Sequence, residues 1–144
     1  AESHALTCTP DLYHVDPCYV EVKFDSRTPV MATKENCQDA AEKTAHAHGF
    51  DFETPGMIPP HRVAADSEFV QKLLRAYEQV TGLKGEAMAI GGGTYVHDIK
   101  NGVAFGAVLP GIDTHMHGAD EFFDLENIVL ATKVYAEAII ELCS

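Results

Sequence analysis

The sequence predicts an α/β chain in two parts: a strand–helix–strand unit of α+β character over residues 1–58, and a helix–strand–glycine loop–strand–helix layer over residues 59–144. Three observations carry this expectation. Residues 19–25 alternate strictly, with Val20, Val22 and Phe24 on one face and Glu21, Lys23 and Asp25 on the other, the pattern of a half-buried strand. Two later stretches repeat apolar residues at helical spacing. Two short apolar runs have the length of strands and end in glycine or proline: residues 86–90 run into Gly91-Gly92-Gly93, and residues 103–109 into Pro110-Gly111.

Each element follows in order. Residues 1–18 carry Pro10, Asp16 and Pro17 and read as an irregular lead-in. The strand at 19–25 closes on Ser26-Arg27-Thr28-Pro29, because proline cannot continue a hydrogen-bonded ladder. Thr33 is an N-cap for a helix through His48, with Cys37, Ala40, Ala41, Thr44 and Ala45 inward and Gly49 just past its end. Residues 50–58 read as a further strand stopped by Pro59-Pro60, which makes strand–helix–strand, half of a ferredoxin-like unit. Residues 59–65 form the boundary. Ser67 or Asp66 then caps a helix to about Val80, with a stripe of Phe69, Val70, Leu73, Leu74 and Tyr77, stopped by Thr81-Gly82. Strands at 86–90 and 103–109 flank the glycine loop. Asp124 caps the last helix, whose inward face is read as Leu125, Ile128, Val129, Tyr135, Ile139 and Leu142.

The totals bound the function. A chain of 144 residues, 46% hydrophobic and 22% charged, is long enough for one compact domain or two small lobes and is not disordered in composition. A formal charge of -12 argues against nucleic acid or an anionic membrane as partner, since both require clustered Lys and Arg. No apolar run approaches the ~20 residues that cross a bilayer. The N-terminus, AESHALTC, lacks the charged and apolar regions of a secretion signal, and its first residue is not Met, which fits an excised piece. Cys8, Cys18, Cys37 and Cys143 form no CxxC pair and are expected as reduced thiols of a cytoplasmic protein.

Candidate chemistry gathers between residues 89 and 121. Glycines at a strand end let backbone N–H groups approach a ligand, because no Cβ intervenes. His115 and His117 follow a Pro-Gly turn, on a loop where ligands and metals are usually met. On residues alone, a tight turn and two solvent histidines explain the stretch as well.

GGGTY, NGVAFGAVLPG and HGADE, followed by a long amphipathic helix, match in order and spacing a family pattern GGGTY…VAFG…FPG…H-x-x-N-E. Over residues 20–142 the chain resembles the C-terminal part of PepV-type (Xaa-His, Sapep-like) dipeptidases. These belong to the zinc aminoacylase, carboxypeptidase and acetylornithine-deacetylase superfamily. The resemblance implies the C-terminal piece of a dinuclear zinc exopeptidase fold plus half of a ferredoxin-like lid. Residues 1–58 would be the lid remnant and residues 59–144 the end of the catalytic domain. FDSRTP resembles the lid's D-x-R-Y-P strand end.

By the same resemblance His117 ligates one of two Zn2+ ions, with His115 the competing candidate and Asp120 standing where the family has Asn. Glu121 would steady the loop as a carboxylate behind the ligand. Arg27, Gly92, Gly93 and Thr94 would hold the free C-terminal carboxylate of a short peptide substrate, the arginine fork matching it bidentately. A surface ion pair of Arg27 with Asp25 is the plainer alternative. His97 stands where the family often has arginine. His14-Val15-Asp16 spells the family's H-x-D ligand pair but in the wrong region, and reads as coincidence.

The resemblance implies that the remaining zinc ligands and the general-base glutamate come from an N-terminal segment that this chain is expected to lack. The expectation is therefore a piece of a zinc-dependent metallopeptidase that uses a metal-bridging hydroxide, inactive without its N-terminal partner segment. An N-acyl amino acid deacylase, a standalone non-catalytic binding or regulatory domain, and a small mononuclear metal protein using His115 and His117 are the alternatives.

Overall fold

The computed structural model describes residues 3–106 and 108–144. Among them the architecture is mixed α/β: one two-stranded antiparallel sheet and three α-helices. By its contacts the chain divides into two units, Ala1–Arg62 with Ala89–Gly93, and Val63–Met88 with Thr94–Ser144.

The first unit opens with a hairpin. Strand β1 (Thr7–Val15) pairs with β2 (Val20–Arg27) from Thr7↔Arg27 to Val15↔Val20. The expected irregular lead-in is thus corrected to a strand. Pro10 does not break it because the register shifts between Pro10 and Leu12, and a bulge is where a strand accepts proline. Asp16 builds the connecting turn: its Oδ1 accepts the N–H groups of Cys18 (2.6 Å) and Tyr19 (3.0 Å). The predicted strand at 19–25 is present, but its apolar face is not covered. Val22 alone is half-buried, while Val20 and Phe24 are exposed.

A five-residue π-helical turn, Lys34–Gln38, leads into α1 (Asp39–Ala47). Thr33 caps it reciprocally: its hydroxyl accepts the Asn36 N–H (3.3 Å) and its own N–H donates to Asn36 Oδ1 (2.8 Å). The helix ends as its sequence predicts, on Gly49 at φ +79, whose N–H donates to His46 O (3.1 Å). Of the expected inward residues only Cys37 and Ala45 are half-buried. The expected strand at 50–58 is corrected to irregular chain. Pro55, the left-handed Gly56 (φ +103) and the absence of a neighbouring strand among the described residues leave no ladder to join.

The second unit is a helix pair. Ser67 caps α2 (Glu68–Thr81) through its side chain and Val70 N–H (3.4 Å), and Gly82 ends it in the left-handed conformation (φ +69). Asp124 caps α3 (Leu125–Cys143) through Asn127 N–H (3.0 Å). The helices meet at Leu73, Ala76 and Ala138, with Val103 and Phe105 packed against them. Alanines at the crossing let the two backbones approach closely. Tyr135 Oη donates to Phe105 O (3.2 Å) and the two rings stand edge to face.

Three expectations are corrected in this unit. The runs at 86–90 and 103–109 are not strands among the described residues; Ala107 lies outside them. A strand needs a partner, and Val103 and Phe105 are held by helix packing instead. The buried stripe of α3 runs through Val134 and Ala138, whereas Leu125, Ile128, Val129, Tyr135, Ile139 and Leu142 are exposed. No helix among the described residues is long and apolar enough to cross a membrane.

Candidate functional site

Arg27 is the last residue of β2, beside the glycine segment of the same unit. Its Nη2 donates to Asp25 Oδ2 (2.6 Å) and its Nη1 to the Gly91 carbonyl (3.4 Å), with the guanidinium half exposed. The plain ion pair with Asp25 is therefore made, but as an exposed pair it contributes little. The contact with Gly91 adds position: one strand end and one glycine turn are brought side by side.

None of Gly91, Gly92 and Gly93 adopts a left-handed φ. A Cβ on Gly91 would sit 3.6 Å from Arg27 Cβ, one on Gly92 4.0 Å from Ile90 Cδ1, and one on Gly93 would meet nothing within 4 Å. Neither backbone conformation nor packing within the chain demands glycine at these positions.

In the second unit, Thr94 is extended (φ -134, ψ 164) and half-buried at the start of a short 3₁₀ turn, Tyr95–Asp98. His97 turns back on it, its Nδ1 lying 3.4 Å from Thr94 N and 3.2 Å from Thr94 O. With Nδ1 unprotonated it accepts the Thr94 N–H; with Nδ1 protonated it donates to the carbonyl and leaves that N–H unengaged. The imidazole at position 97 thus has a structural occupation that sequence reasoning did not assign.

The histidine loop has an unusual backbone. His115 (φ +55), His117 (φ +64) and Asp120 (φ +58) are all left-handed, following Gly111 at +82. His and Asp tolerate this region better than most residues, yet each such residue costs roughly 1 kcal/mol or more. Hydrogen bonds hold the path. Asp113 Oδ1 accepts the His115 N–H (2.9 Å), and the His115 carbonyl accepts the Gly118 N–H (2.7 Å). A Cβ on Gly118 would come within 2.9 Å of that same carbonyl, so glycine is required there. The Phe122 N–H closes the loop on the Thr114 carbonyl (3.1 Å), and the His115 ring stands edge-on to Phe122.

His117 is exposed, as His115 is, but its ring has no hydrogen-bond partner among the described residues. Glu121 is exposed and accepts no hydrogen bond among them; Thr114, Gly118 and Phe122 do the closing expected of it. Thr114, Gly118 and Phe122 were not singled out by sequence, where the only signal was a glycine directly after a histidine. His14 and Asp16 are a strand residue and a turn residue, 3.7 Å apart, with the Tyr19 ring against His14. A cleft of about 320 Å³ in the first unit, lined by Thr33, Lys34, Gln38 and Met57 among others, contains none of the candidate residues.

No group of three or more His, Cys, Asp or Glu side chains placed to hold a metal ion occurs among the described residues. As one ligand, an exposed and unengaged imidazole fits zinc; a complete site is not assembled among the described residues.

Residues 7–141 match the family described as peptidase family M20/M25/M40. Among similar proteins is a putative dipeptidase of Staphylococcus haemolyticus, 42% identical over 101 residues, covering 70% of this chain and 22% of that protein. The putative dipeptidase YtjP of Bacillus subtilis is 35% identical over 122 residues, 85% of this chain and 26% of its own length. A putative dipeptidase of Staphylococcus aureus is 37% identical over 109 residues, 76% and 23% respectively. The chain spans about a quarter of the length of these relatives.

Proposed function

The chain belongs to peptidase family M20/M25/M40, and from that premise we propose that it is the C-terminal part of a zinc-dependent dipeptidase of the PepV type. The complete enzyme hydrolyses short peptides in the cytoplasm, a location that four unpaired cysteines favour. In it, His117 is one zinc ligand, Glu121 stands behind it, and Arg27 with Gly92, Gly93 and Thr94 receives the substrate's terminal carboxylate. A bound zinc supplies an activated water and polarises the scissile carbonyl. This chain's own residues bind and orient, and none of them is a general base. The chain by itself is inactive.

The observation that carries the reading is the contrast within one loop. Both histidines are exposed, but His115 is spent on a ring contact with Phe122, while no contact of that kind engages His117 among the described residues. That contrast favours His117 over His115 as the ligand. The glycine segment beside Arg27 supports the carboxylate clamp, because nothing among the described residues requires glycine at 91–93. Exposed apolar side chains on α3, among them Ile139 at 63% and Ile140 at 60%, favour a remainder that covers them.

Dipeptide hydrolysis by the chain alone, and after addition of the N-terminal remainder, tests this. Activity and tight zinc binding are expected only in the second case, with weak zinc binding by the chain alone. His117→Ala in the complete enzyme should reduce activity, and zinc affinity at the one site it serves, by more than the about 10- to 100-fold typical of groups behind a ligand. Turnover by the isolated chain, or full zinc content in His117→Ala, would overturn the reading.

A further inference from the structure

Both ends of the histidine loop meet at Phe122. Its N–H donates to the carbonyl of Thr114 (3.1 Å), the one buried polar residue among the described residues. Its ring and that of His115 stand edge to face, with centroids 5.6 Å apart and planes at 87°. Phe122 lies two residues before Asp124, the cap of α3, and α3 is packed on α2 through Ala138. The closure is therefore tied to the rigid part of its unit. Between the two ends the chain runs through three left-handed residues, with His117 in the middle at φ +64.

An isolated segment does not keep His and Asp in that conformation, because the Cβ crowds the following carbonyl. Released at one end, His117 relaxes to negative φ, which swings its ring to another direction. We propose that the His115–Phe122 ring pair and the Thr114–Phe122 backbone bond form a clasp that holds His117 left-handed with its imidazole presented outward. Phe122 and His115 are positioning residues for His117. The clasp's purpose rests on His117 being a metal ligand, but its geometry stands without any metal. It also explains why two histidines two residues apart are not equivalent: one is consumed in building the loop that displays the other.

The test is nuclear magnetic resonance on the protein itself, comparing Phe122→Ala, His115→Ala and Phe122→Tyr. In the first two, the amide at position 122 should lose about three- to tenfold in exchange protection, the size expected for one aromatic pair. The His117 Cα shift and backbone coupling should move away from left-handed values. Phe122→Tyr should preserve all three, and unchanged protection in α2 and α3 reports that the fold persists. Left-handed signatures at His117 in both alanine variants overturn the clasp, as does failure of the tyrosine variant to retain them.

A Zn2+ titration read at the imidazole nitrogens of His117 separates this from the functional reading. A response in the parent, weakened several-fold in Phe122→Ala, supports positioning, and an equal response in both overturns it. Conformational changes as expected with no zinc response in the parent leave the clasp standing and remove the metal role of His117.

Discussion

Glycine triplets are usually explained by turns that no other residue can make, yet Gly91, Gly92 and Gly93 make none. Their φ values lie outside the left-handed region, and a Cβ on Gly93 points into open space. Gly118 is the opposite case, since its Cβ would collide with the His115 carbonyl. A glycine without an internal cause invites an external one, and close approach of a ligand to the backbone is the physical candidate. Gly93→Ala is therefore expected to leave stability unchanged or raise it by about 0.4–1 kcal/mol, through a less flexible unfolded chain. In the complete enzyme the same change should raise KM for a dipeptide about tenfold, the value of one hydrogen bond to a charged group. Denaturant unfolding and steady-state kinetics read the two effects separately. An unchanged KM removes the glycine turn from the substrate site.

At the scale of elements, the three helices and β2 were legible, whereas the other strand expectations were not met. Thr33, Ser67 and Asp124 cap where their side chains and spacing predict, and Gly49 and Gly82 end helices where only glycine turns left-handed cheaply. These are local signals. The runs at 86–90 and 103–109 carry strand composition, but a strand exists only with a neighbour to bond, and composition does not supply the neighbour. β1 was missed for the converse reason: Pro10 reads as a breaker until its bulge is seen. The site shows the same division. His117, Arg27 and the glycines stand out by residue type, whereas Phe122 and Thr114 matter only through contacts between positions eight apart.

Packing faces were read in part. The stripe assigned to α2 contains Val70 and Leu73 but omits Ala76, at 0% exposure the most buried of the core residues among the described ones. Small size, not hydrophobicity, earns that place, because it sets how closely α2 and α3 cross. Ala76→Leu should cost about 1–3 kcal/mol by overpacking, despite leucine's good helix propensity. Thermal or urea unfolding measures it, and a neutral result would mean that the helix crossing has slack the structure does not show.

For the whole molecule, the question is whether the surface it presents is a finished one. α3 carries apolar residues on more than one side; Val134 and Ala138 are buried on α2, while Ile139 and Ile140 remain 63% and 60% exposed. Apolar residues that spread beyond the face a helix buries are surface that a larger body would cover. That is also why its inward face was misassigned from sequence: when several stripes fit the helical period, periodicity cannot choose among them. Ile139→Ser with Ile140→Ser separates the rival readings, and isoleucine and serine have similar helix propensity, so the helix itself is not the variable. In the chain alone, two solvated side chains should change stability by no more than about 0.5 kcal/mol. In the complete enzyme, where the remainder is proposed to cover this face, each truncation should cost about 2–5 kcal/mol. Equal and small effects in both settings would mean that α3 faces water in the finished protein, and the apolar surface would then point to a standalone domain whose partner is a different molecule.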